Sequence, residues 1–142
     1  MTGDLSQTLK HELVHSFIHQ KTNGRAPVWL HEGVAQYLEG LRVGGHAQIL
    51  VSAYEQKVAL PLSVMEAQFL SLPGEVASFA YLWSLGVVEY IVAANGMGDI
   101  ERLLERIRTE PSTEAAVRAT LRMDYAQLEA ASARYLRRTY LP

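Results

Sequence analysis

Apolar side chains return every three or four positions over the first eighteen residues, at Leu5, Leu9, Leu13, Phe17 and Ile18. That is the period of one helix face, so an amphipathic helix is expected over about residues 4–21. Asp4, with Gln7 three residues on, reads as a capping box at its start. The run Asn23-Gly24-Arg25-Ala26-Pro27 breaks the pattern, and Pro27 suits the first turn of a second helix reaching about Leu41. Gly44-Gly45 marks the next turn. Residues 47–58 fit either a helix or a strand and are read as a helix. Pro61 closes that element, and Ser63 with Glu66 forms a second capping box before a short helix. Glu75 to Ala94 reads as a long apolar helix stopped by Asn95-Gly96. Asp99 caps a helix to about Thr109, and Pro111 interrupts. Ser112 then opens a helix over Thr113–Leu121, and Asp124 with Gln127 caps the last one, from Tyr125 to about Thr139. No alternating β-branched run is long enough for a sheet, so the expected fold class is mainly α.

Length and charge narrow the function classes. A chain of 142 residues fits a single domain over residues 1–142. It has no cysteine, which excludes a disulfide framework, thiolate metal ligands and a cysteine nucleophile. A formal charge of −2 without a basic block speaks against a nucleic-acid partner. The segment Val76 to Ala94 is mostly apolar, yet it carries Ser78, Ser84 and Glu89 and ends in a helix stop. A buried central helix is expected there, with no membrane span. The opening Met1-Thr2-Gly3-Asp4 is unlike a signal peptide, and nothing else indicates a location.

The strongest chemical signal is His11-Glu12-Leu13-Val14-His15. Histidines at i and i+4 share a helix face, so both rings can point at one ion. Glu12 is rotated about 100° from His11, beside the ion, where its carboxylate can take a proton from water held there. Zinc suits two neutral imidazoles and a carboxylate with one open position, and it can bring the pKa of its water to roughly 7. The competing reading is a surface helix that happens to carry Glu and His. His19 continues the i, i+4 series but drifts round the helix, and a third histidine ten residues after His11 would fall at Lys21. Glu32 in Trp29-Leu30-His31-Glu32-Gly33-Val34-Ala35-Gln36-Tyr37 is the better third ligand. A tight turn over residues 21–26 would fold the second helix back on the first and face Glu32 toward the histidine pair; alone, Glu32 would read as a solvated carboxylate.

The two segments together resemble a gluzincin metallopeptidase, with H-E-x-x-H, a short connection, and a second helix carrying Trp-Leu-x-Glu-Gly-x-Ala. The second stretch is similar to that of aminopeptidase N-like enzymes and of the small peptidase MA-like domains related to them. The resemblance implies one zinc ion held by His11, His15 and Glu32, with Glu12 as general base. It implies peptide-bond hydrolysis of a peptide or protein substrate. Aminopeptidases usually have Asn where this chain has His31, so the role of His31 stays open. The connection between His15 and Glu32 is 16 residues, slightly shorter than in the large enzymes. In the aminopeptidase branch a Tyr stabilises the oxyanion and a Gly follows it fifteen residues on. Tyr81 precedes Gly96 by that interval, and a phenol is a suitable oxyanion donor. The other reading of Tyr81 is a half-buried core aromatic.

The implied architecture is a zincin-like helical catalytic subdomain: an active-site helix, a Glu-bearing second helix, then a C-terminal helical bundle. Gluzincins carry a β-sheet before the H-E-x-x-H helix, and here that sheet is largely or wholly absent. The chain is therefore expected to be a C-terminal fragment whose parent supplies an upstream domain as partner, or else a minimal relative of the family. Gln36, or alternatively Glu39, is placed to accept the second ring N–H of a metal-bound histidine, or is simply a solvent-facing polar residue. The alternative function is a non-catalytic zinc-binding or interaction module derived from a metallopeptidase.

Overall fold

The computed structural model describes the backbone of residues 2–142 and the side chains from Leu9 onward, except those of His11 and Leu70. Among the described residues seven helices follow one another: α1 (Thr2–Thr22), α2 (Val28–Leu38), α3 (Ala47–Glu55), α4 (Gly74–Asn95), α5 (Met97–Thr109), α6 (Thr113–Leu121) and α7 (Tyr125–Tyr140). Single 3₁₀ turns sit at Gly44–His46, Val64–Glu66 and Phe69–Ser71. The described residues contain no strand, and the expected mainly α architecture holds.

The apolar helix α4 is the axis of the fold. It packs against α2, α3, α5 and α7, and Trp83, Leu85, Val87, Val88 and Ile91 are buried along it. Its length and composition would allow it to cross a membrane, and half of its apolar window is buried inside the fold. Two glycines set the depth of packing against it. A Cβ at Gly33 of α2 would lie 2.5 Å from the Ser84 carbonyl oxygen and 2.6 Å from Val88 Cγ2. A Cβ at Gly86 would lie 3.0 Å from Leu136 Cδ1 of α7. Glu89, buried in this apolar helix, accepts hydrogen bonds from the Val43 backbone N–H at 2.6 Å and the Tyr140 hydroxyl at 2.5 Å.

Several boundaries differ from the pattern. The helix expected to reach Leu41 ends at Leu38, because Gly40 takes φ +91°. The Gly40 and Leu41 N–H groups then turn back to the carbonyls of Tyr37 and Gln36, the Schellman arrangement. The helix expected over 47–58 ends at Glu55 in the same way, with Lys57 in the left-handed region. Pro27 is the N-cap of α2, just outside its first turn. The capping box at Ser63 does not form. Ser63 is itself helical and caps nothing, and the Glu66 carboxylate instead accepts the Tyr125 hydroxyl at 2.5 Å. Gly96, at φ +85°, precedes α5, and Asp99 lies inside the first turn, bonded to Arg102. Ser112 and the Asp124–Gln127 box cap α6 and α7 as their sequences indicate. The Asp4–Gln7 pair lies outside the described side chains, and α1 runs from Thr2.

Candidate metal centre

The connection between α1 and α2 is held from several sides. Asn23 takes φ +55° at the end of α1, and the Asn23 and Gly24 N–H groups return to the Gln20 and His19 carbonyls. The buried Thr22 hydroxyl donates to the Ile18 carbonyl at 2.8 Å and accepts from the Ala26 N–H at 3.3 Å. Arg25 donates to the Arg108 and Glu110 carbonyls at 3.0 and 2.7 Å. These carbonyls close α5, where the helix dipole favours a cation. On α2, the Trp29 indole N–H donates to the Tyr125 hydroxyl at 3.2 Å. The start of α2 is thereby fixed against both the end of α5 and the start of α7.

This frame brings His15, two turns before the end of α1, against residues one turn into α2. His15 Nε2 lies 3.8 Å from Glu32 Oε1. His15 Nδ1 lies 3.0 Å from His31 Nδ1, with ring centroids 5.1 Å apart and ring planes inclined by 24°. Two ligands of a tetrahedral zinc ion sit about 3.4 Å apart when each is about 2.0–2.2 Å from the metal. The Nε2–Oε1 spacing therefore suits one ion after a shift of a few tenths of an ångström. Burial first, then the nearby charges of His15 and His19, lower the His31 pKa to about 4. His31 is therefore a neutral imidazole at physiological pH.

A cleft of about 320 Å³ opens beside the pair, walled by Val28, Glu32, Gln68, Phe69 and Tyr81. The Tyr81 ring meets Phe69 edge-on at 5.0 Å. Burial, and then the Glu32 charge, raise the Tyr81 pKa, so its hydroxyl keeps its proton at neutral pH. A second recess, also lined by His15 and His31, is edged by Ser16, His19 and Gln20.

The residues singled out in the sequence are only partly assembled. His15, Glu32 and Tyr81 share the cleft. The His11 side chain lies outside the described residues, and its backbone sits one turn before His15 on α1. Among the described residues no three His, Asp or Glu side chains form a metal-holding group. Glu12 is exposed and is not among the residues lining either recess. The Gln36 side chain is tied down through its amide N–H₂. That group donates to the carbonyls of Glu32 and Tyr81 at 3.1 and 2.8 Å, tying α2 to α4 behind the site. Glu39 is half-buried near the end of α2. His19 is exposed and packs over Gly24, where a Cβ would lie 3.0 Å from its ring. Sequence reasoning missed Phe69 and the pairing of His31 with His15. No motif marks Phe69, which sits in a run of short turns.

A family model described as Peptidase MA superfamily matches residues 4–138. No curated protein and no solved structure matches the chain.

Proposed function

The chain belongs to the Peptidase MA superfamily, and on that premise we propose that it is a gluzincin-type, zinc-dependent peptidase domain related to the aminopeptidase N catalytic domains. His11, His15 and Glu32 are the zinc ligands of this reading. The observation that carries it is the approach of His15 Nε2 to Glu32 Oε1 across the α1–α2 hairpin, at the edge of a cleft that also holds Tyr81. When bound, zinc supplies Lewis-acid polarisation of a carbonyl and acidifies water near neutral pH. Glu12, one residue after the first ligand, takes the proton of the attacking water and returns it to the leaving amine. Tyr81, kept protonated by burial and by Glu32, donates its hydroxyl to the oxygen on which charge develops. Val28 and Phe69 wall the cleft with apolar surface, which suits a substrate side chain beside the scissile bond. Leu9, Leu13 and Phe17 are exposed along α1 on the face turned away from His15, and an upstream domain is the partner proposed to cover them.

The test is zinc content together with cleavage of casein or generic peptides, wild type against Glu12→Gln. Stoichiometric zinc with cleavage reduced at least about 100-fold by the substitution is expected. Cleavage unchanged by it would overturn the mechanism. A second reading, a non-catalytic zinc module, is favoured by one observation: Glu12 is exposed and does not line the cleft. A structural ion would be closed by a fourth protein ligand, and chelation would then unfold the domain. The catalytic reading expects the chelated protein to stay folded.

A further inference from the structure

Resting on the zinc reading above, we propose that His31 is the positioning residue of the centre. Its Nδ1 accepts the Nδ1–H of His15 and thereby leaves the Nε2 lone pair of His15 directed toward Glu32. Two imidazole nitrogens 3.0 Å apart are compatible only with one shared proton, since two lone pairs or two N–H groups repel at that separation. That proton has two placements. On His31 Nδ1 it would leave His15 protonated at Nε2, the atom that lies 3.8 Å from Glu32 Oε1, and that atom could not ligate a cation. On His15 Nδ1 it leaves Nε2 unprotonated, as a nitrogen that ligates a cation must be.

The surroundings hold the acceptor in place. His31 lies in the first turn of α2, with its own N–H bonded to the Pro27 carbonyl at 3.2 Å. Its neighbours Trp29 and Leu30 are fully buried. The two ring planes are inclined by only 24°, as an in-plane N–H···N bond between two imidazoles requires, so neither ring turns without losing it. An acceptor on the second ring nitrogen fixes the tautomer and orientation of a ligating histidine and raises its basicity. An imidazole does this without the extra negative charge that a carboxylate acceptor would bring next to Glu32.

The experiment compares wild type with His31→Asn and His31→Phe. Asn places its Oδ1 on the branch where His carries Nδ1, so the acceptor is retained. Phe keeps an aromatic ring and removes the acceptor. Zinc affinity is measured by competition with a chromophoric chelator. Long-range ¹H–¹⁵N spectra of the metal-free protein read the tautomer of His15, and circular dichroism verifies folding of each variant. The expected result is the Nδ1–H tautomer at His15 in wild type and in His31→Asn. Zinc affinity should fall about 10- to 100-fold in His31→Phe and stay within about threefold of wild type in His31→Asn. An Nε2–H tautomer at His15 in wild type would overturn the proposal, as would a folded His31→Phe protein that binds zinc like wild type. Should His31→Phe not fold, the tautomer and the His31→Asn affinity decide alone. A wild type that takes up no zinc would remove the zinc reading, while the spectra would still decide the His15–His31 bond.

Discussion

At Gly33 a methyl group would enter the space of the Ser84 carbonyl oxygen, 2.5 Å away, and of Val88 Cγ2. A backbone oxygen in the middle of α4 cannot rotate aside as a flexible side chain can, so α2 and α4 must part. Gly33→Ala is expected to cost about 3 kcal/mol, at the upper end of overpacking effects, and to displace Glu32 next to it. Gly45, whose Cβ would meet nothing within 4 Å, is the matched control, and urea midpoints of the two variants provide the check. His31 gives a pH signature. Its pKa is about 4 in the fold against 6.5 ordinarily, so between those values the unfolded chain holds a proton that the folded chain lacks. Stability of the metal-free protein therefore falls as pH drops from about 6.5 toward 4. The ring is only half-buried, so solvent screening limits the loss to about 1–2 kcal/mol. His31→Asn should flatten this slope in urea titrations at several pH values, and an unaltered slope would count against the assignment. His15 and Glu32 were legible in the sequence because spacing on a helix and a short hairpin are local facts. The His31–His15 contact was not, since it depends on how the two helices are rotated about their axes.

Helix ends divide in the same manner. Ser112 accepts from the Ala115 N–H, and Asp124 and Gln127 exchange bonds; these caps involve neighbours three residues apart and could be read directly. The helical pattern ran past Gly40, because apolar periodicity continues to Leu41. Lys57 and Arg122 are different. Both take positive φ, +62° and +60°, and each closes a helix with a side chain that gives no stop signal. The Ser63–Glu66 box failed for the opposite reason: a distant tyrosine, Tyr125, holds the carboxylate that the box required. The left-handed region costs a non-glycine residue roughly 1–2 kcal/mol, part of which glycine loses again through the entropy of the unfolded chain. Lys57→Gly is accordingly expected to stabilise the protein by about 0.5–1 kcal/mol. A thermal scan against wild type measures this, and a lowered midpoint would show that Lys57 makes contacts worth more than the strain.

Across the whole molecule, α4 is where a reading by composition and a reading by packing diverge most. Its apolar run suffices for a membrane span, but the run is interrupted at Glu89, and the fold uses that interruption. The carboxylate joins three distant parts: α4 itself, Val43 in the segment between α2 and α3, and Tyr140 at the end of α7. The same segment and α7 also flank Gly86, with Val43 Cγ2 and Leu136 Cδ1 both within 4 Å of its Cβ position. Packing and polar contacts thus close the core at one place, on the side of α4 away from Gly33. Burial, and then the bond to Glu89, raise the Tyr140 pKa, as expected for a phenol donating to a carboxylate. Two substitutions separate the roles of the carboxylate. Glu89→Leu leaves the buried Val43 N–H without an acceptor and should cost about 2–4 kcal/mol, since an unsatisfied buried group costs about 1–3 kcal/mol and the bonds lost involve a charged group. In Glu89→Gln the amide oxygen still accepts from Val43, and the Tyr140 hydroxyl can turn to accept from the amide N–H₂, so the cost should be near 1 kcal/mol. Denaturant unfolding of both variants tests the ordering. If Glu89→Leu proved as stable as Glu89→Gln, α4 would be held by apolar packing alone, and the joining of its neighbours through one carboxylate would be refuted.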